Sequence, residues 1–275
     1  MSIRTDLAIE NIENDLKKEK IGDVDSYFLE ENKKKYYTLD FERIDKIVNF
    51  GDLEKALFSS LDNLLPKERE KILVVGLGNT EITSDSVGPR VCERMLATRH
   101  ITGEIAKATG LDRLRPVAVL ATGVTGQTGI ETGEYLLSIV KKIKPTAIIA
   151  IDALASRRLE RLGCTLQISD TGIAPGAGVG NHRTKINSDT MGIPVIAIGV
   201  PTVVDAATMA SDLLNIKNEN DSNKLKEQLT PNGRKMVVTP KEIDLLIDRA
   251  SKLISMSVNY SLHKGLELED LAMLM

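Results

Sequence analysis

Cysteine is scarce: the chain of 275 residues has two, Cys92 and Cys164. They form neither a CxxC pair nor a zinc-like spacing with histidine, which argues against a disulfide framework or a structural zinc site and fits a reducing cytoplasm. An excess of charge is also missing, with 36 basic against 39 acidic residues and a formal net charge of -3. No field draws such a chain onto nucleic acid or an anionic membrane, so neither is expected as a partner, whereas a basic protein is left open as one. No segment reaches about 18 uninterrupted apolar residues, and the N-terminal stretch MSIRTDLAIENIENDLKKEK lacks the apolar centre of a signal peptide. A soluble, unexported protein is the expectation. Neither HExxH nor GxSxG occurs, so the zinc-peptidase helix and the serine-hydrolase elbow are not written in the sequence.

What is present is apolar material, 42% of the residues, enough to bury one large core, and a single domain is expected. Residues 1–36 are highly charged, include the run Lys33-Lys34-Lys35 and show no sustained periodicity, so they read as an arm or peripheral segment. From Ile44 to Leu65 apolar positions recur at three- or four-residue steps, which predicts helical cover broken near Gly51 and closed by Pro66. Four short apolar runs follow, at 71–76, 116–121, 146–151 and 194–199, separated by helical spacing around 86–97, 131–142 and 205–214. This alternation predicts an α/β fold, with helices on both faces of a mostly parallel or mixed sheet and ligand chemistry at the carboxyl ends of its strands. The segment 217–235 begins as a polar surface excursion, and a terminal helix is predicted from about Pro240, with Thr239 placed to cap it.

The first of these strands runs into Gly76-Leu77-Gly78-Asn79, and Asp85 stands at the start of the next helix. The pattern imitates a dinucleotide-binding turn but fails it, because Glu81 takes the place of the third glycine and a charged side chain would obstruct the pyrophosphate. The turn instead delivers Asp85 to the rim, and Asp152 follows the apolar run Ala147–Ile151 and emerges at the same rim. Two carboxyl groups held close cannot both ionise easily, so one keeps a proton as acid while the other acts as base toward water. The local alternatives are that Asp85, Ser84 or Ser86 caps a helix and that Asp152 caps the segment 153–157.

Further loops crowd that rim: Gly123-Val-Thr-Gly126-Gln-Thr-Gly129, and Gly172 to Arg183 with Gly176, Gly178 and Gly180. Glycine permits close backbone approach, so such loops can present N–H groups to an oxyanion or line an extended substrate, or they are simply tight turns. His182 lies in the second loop, and a metal set of Asp85, Asp152 and His182 is a weaker possibility. A nucleophilic pair of Cys164 and His182 is weaker still, since Cys164 sits in an alternating strand-like segment.

GLGN with Asp85 six positions after Asn79, IDALASR at Ile151 to Arg157, GIAPGAGVGN at Gly172 to Asn181, IGVPTVVDA at Ile198 to Ala206 and VTPKEID at Val238 to Asp244 together resemble the germination protease family of spore formers. The resemblance implies an atypical aspartic endopeptidase using Asp85 and Asp152 that starts the degradation of small acid-soluble spore proteins in the spore core, needs no cofactor and assembles as a homotetramer. It also implies a zymogen. Family substrates are cut before the apolar residue of a motif like Thr-Glu-Ile-Ala-Ser-Glu, and Thr5-Asp6-Leu7-Ala8-Ile9-Glu10 matches it. A cut between Asp6 and Leu7 would remove residues 1–6 as a propeptide and leave 7–275 as the peptidase domain; an exposed arm is where such a cut is least obstructed. This propeptide is shorter than is usual in the family, which implies weaker latency. The fold implied is that of hydrogenase-maturation peptidases, whose metal-contacting histidine keeps His182 in view. Two other functions stand beside the first: a metal-dependent maturation-type peptidase, and a binder that holds spore proteins without cutting them.

Overall fold

A computed structural model describes residues 5–11, 16–67, 70–108, 110–174, 184–214, 216, 225, 227–230, 236–264 and 266. Nine strands among them form one mixed sheet: β1 (Lys17–Ile21), β2 (Val24–Glu31), β3 (Lys34–Asp40), β4 (Ile72–Gly76), β5 (Val117–Ala121), β6 (Ala147–Ser156), β7 (Thr165–Ser169), β8 (Val195–Asp205) and β9 (Val237–Val238). The order is β1-β2-β3-β7-β8-β6-β4-β5, with β9 paired to β8. Strands β5, β4, β6 and β8 are parallel neighbours, whereas β7, β3, β2 and β1 extend the sheet in antiparallel fashion. The helices are α1 (Gly51–Asp62), α2 (Val87–Glu93), α3 (Gly103–Ala108), α4 (Thr125–Thr128), α5 (Thr132–Ile143), α6 (Ser188–Met191), α7 (Ala206–Leu213) and α8 (Ile243–Leu262).

The parallel strands are continuous apolar runs because both of their faces are covered. On one face Ile72, Val74, Ile149, Ile151, Ile196 and Ile198 pack under α1, α2 and α8. On the other, Leu73, Val75, Ile148, Ala150 and Val195 meet Leu136 and Val140 of α5 and Met191 of α6. Helices therefore lie on both faces, as the alternation predicts. The apolar stripe of α8, with Leu246, Ile247, Ala250, Leu253, Ile254, Val258 and Leu262 all buried, is the largest single helical contribution to the first layer.

Three expectations are corrected. Residues 17–40 are a meander and not a peripheral arm: Asn32 and Lys33, with φ of 51° and 63°, make a hairpin turn from which Lys34 begins β3, and Leu39 joins the core opposite Leu166. Helix α1 starts at Gly51, so Ile44, Ile47 and Phe50 cover the core from irregular backbone, while Val48 is exposed. Thr239 does not cap α8, which starts at Ile243; its Oγ1 donates to the Thr202 carbonyl at 2.9 Å. The polar stretch near 217–235 lies largely outside the described residues.

His263 ends α8 with almost no exposed surface. Burial pushes its imidazole below the ordinary value, so the fold holds it neutral while an unfolded chain takes up a proton near pH 6.5. Stability present above that pH is then lost as the pH falls. Between pH 7.5 and 5.5 the urea midpoint of the wild type should drop further than that of His263→Leu; equal drops would remove His263 as the cause.

Candidate active site

The chain leaves β4, pairs β5 on one side of it and returns to form β6 on the other, so the carboxyl end of β4 is a topological switch point where a crevice opens. Two glycines let α2 sit against that end. A Cβ on Gly88 would fall 2.4 Å from the carbonyl oxygens of both Ile151 and Leu77, and one on Gly76 would fall 2.2 Å from that of Gly88. The glycine that permits close helix–sheet packing is thus Gly88, twelve residues after Gly76, and Glu81 projects into solvent.

Asp85 is held by a closed loop. Gly78 takes φ of 114°, where a Cβ would lie 2.0 Å from the Asp85 carbonyl oxygen. The Asn79 N–H then donates both to that oxygen at 3.1 Å and to Asp85 Oδ2 at 2.9 Å. Asn79 Oδ1 accepts from the Glu81 N–H at 2.9 Å and from Gln127 Nε2 at 2.7 Å, which ties the loop to the Gly123 turn. Thr202 Oγ1 donates to the Ser84 carbonyl at 2.7 Å, which ties it to β8. No side chain caps α2: its N-cap Ser86 donates to the Thr83 carbonyl instead, and the Asp85 carboxylate turns back to Asn79.

Asp152 does not end its strand. Ladder pairing between β4 and β6 stops at Gly76 with Ile151, but β6 runs on beside β8 to Ser156, because Ala153 to Ser156 carry nothing that breaks a strand. Asp152 is therefore the first residue of β6 beyond the end of β4 and caps no helix. It is 7% exposed, and its Oδ1 accepts from the Ala153 N–H at 2.9 Å. Asp85 and Asp152 line one cleft of about 580 Å³, together with Gly78, Asn79, Gly123, Gly172, Gln167 and Gly199.

Other sequence candidates fare differently. Gly176, Gly178, Gly180 and His182 lie outside the described residues. Among the described residues no three His, Cys, Asp or Glu side chains gather as a metal site. Burial pushes the Cys92 thiol up to about 12 and raises Cys164 as well, so neither is a ready thiolate near neutral pH.

The described arm residues 5–10 are packed down, and the idea of an unobstructed surface segment is corrected: Asp6, Ala8 and Asn11 form part of the cleft wall. The Asp6 N–H donates to the Ala155 carbonyl and the Ala155 N–H to Asp6 Oδ2, each at 2.8 Å. Leu7 has no exposed surface. The Glu10 carboxylate accepts from the backbone N–H groups of Arg157 at 2.7 Å and Arg158 at 3.0 Å, with Arg161 Nε 3.7 Å away. Gln167 on β7, which sequence reasoning passed over, bridges two peptide groups of this arm.

Comparison with known proteins places the chain among peptidases. Curated germination proteases from Clostridium perfringens (strain SM101 / Type A) and Clostridium acetobutylicum are 46% and 37% identical; the first alignment covers 80% of this chain and 74% of that protein, the second 98% of each. That of Priestia megaterium is 37% identical across 72% of this chain and 68% of its own length. The family model for germination protease matches residues 4–218 and 213–274, and the chain belongs to that family. A solved nickel–iron hydrogenase maturation protease from Thermococcus kodakarensis KOD1 overlaps 72% of this chain and 98% of its own, at 16% identity and a TM-score of 0.39. No described helix is long and apolar enough to cross a membrane.

Proposed function

We propose that this chain is an endopeptidase that begins the breakdown of small acid-soluble spore proteins at germination, and that it is made as a zymogen which cuts itself between Asp6 and Leu7. One observation carries the reading: Asp6 lines the same cleft as Asp85 and Asp152, with Leu7 buried beside it. The pair shares a proton. Its ionised member takes a proton from water, whose oxygen adds to the Asp6 carbonyl carbon, and its protonated member supplies a proton to the Leu7 nitrogen as the carbon–nitrogen bond breaks. Water is the sole co-reactant. Residues 1–6 are the propeptide and 7–275 the peptidase domain, working in the spore core as a homotetramer, without nucleic acid or membrane as partner.

The test is incubation of the wild type, Asp85→Asn and Asp152→Asn at mildly acidic pH, followed by intact mass measurement. Only the wild type should lose residues 1–6. Equal trimming of all three would remove these acids from the mechanism, and capture of a spore-protein peptide without cleavage would favour a binder.

A further inference from the structure

We propose that Gln167 is a further catalytic residue, which grips the peptide to be cut and polarises its carbonyl; this rests on the Asp6–Leu7 cleavage proposed above. Gln167 Nε2 donates to the Asp6 carbonyl oxygen at 3.0 Å, and its Oε1 accepts from the Ala8 N–H at 2.6 Å. The partners fix the orientation of the amide, because a carbonyl only accepts and a backbone N–H only donates. One planar group therefore contacts the oxygen of the bond to be cut and the next peptide beyond it.

The sheet register explains how Gln167 comes to face an acid. Asp152 pairs with Gly199, and Gly199 pairs with Gln167, across β6, β8 and β7. Partners in register share a face, and two strand spacings of about 4.8 Å each separate the outer pair. Leu166 and Ile168 on either side of Gln167 are buried in the layer under the opposite face, which anchors its backbone. Gly199 between them presents no side chain, and a Cβ there would lie 2.5 Å from Leu154 Cγ. The Leu154 side chain of β6 fills the space over Gly199, between carboxyl and amide.

Gln167 is also not the arm's sole anchor. Asp6 is held by Ala155, and Glu10 by Arg157 and Arg158, through groups that do not involve it. Its contact with the Asp6 oxygen is where negative charge develops: as water adds to the carbon, the carbonyl electron pair moves onto that oxygen, and the Nε2–H bond strengthens. The pair returns when the Leu7 nitrogen leaves. Loss of one such donor slows catalysis by about 10²–10³-fold in comparable sites.

The experiment uses the full chain at a series of pH values, with intact mass reporting trimming and amide exchange at Asp6, Ala155, Arg157 and Arg158 reporting whether the arm stays docked. Gln167→Ala should trim about 100-fold more slowly while those amides remain protected. Gln167→Glu should be as slow near neutral pH and recover as the pH falls, since only a protonated carboxyl can donate to the Asp6 oxygen. Wild-type speed in Gln167→Ala overturns the proposal, as does slow trimming with the arm amides unprotected, which would make Gln167 a docking residue alone. If trimming is lost in Asp152→Asn but untouched in Gln167→Ala, the aspartate mechanism stands and Gln167 falls. A wild type that never trims sinks both.

Discussion

Asp152→Asn should slow release of residues 1–6 by about 10³–10⁴-fold, at the upper end of what a positioned acid or base contributes. The substitution keeps the shape of the side chain, and its amide oxygen can still accept from the Ala153 N–H, so the strand has no reason to move. Thermal midpoints of wild type and variant should agree within a few degrees, which separates lost chemistry from lost structure. Asp85→Asn should behave alike, since an amide oxygen can still accept from the Asn79 N–H. Were Asp85 merely structural, the variant would trim at the normal rate. Intact mass against time, beside a melting curve for each protein, decides between these outcomes.

Gly88→Ala should cost about 3 kcal/mol and trimming with it. The added methyl would sit 2.4 Å from two backbone oxygens, Leu77 and Ile151, and backbone of a central sheet cannot step aside as a flexible side chain can. Helix α2 must lift away from β4, and Asp85, two residues before its first turn, moves with it. Gly126→Ala is the matched control: it makes the same chemical change within α4, where nothing lies within 4 Å. Its urea midpoint should stay close to that of the wild type. Equal losses in the two variants would mean that close packing at Gly88 is not what holds the helix.

The four parallel strands were legible because burial on both faces leaves an unbroken apolar run. The meander was not, because it is amphipathic at most: β1 is exposed along nearly its whole length, β2 buries only Val24 and Ser26 outright, and its turn uses Asn32-Lys33 in place of Asn-Gly. Asp152 was legible as an acid at the rim, yet its strand was read five residues short, since an apolar run ends at a charge while a hydrogen-bonded ladder need not. Gln167 left a faint signal as a lone amide between Leu166 and Ile168, the position on a strand that faces away from the main core. The docking of the arm left none. Asp6 and Glu10 look like solvent-facing charges in the sequence, but their partners are backbone N–H groups, which composition does not record.

Hydrolysis at Asp6 would place a new ammonium group on Leu7, a residue sealed from water. An unpaired cation is not tolerated in such an enclosure, so the freshly cut end must swing outward and draw the following residues after it. The severed ends would then part, and the release of residues 1–6 would act as a ratchet.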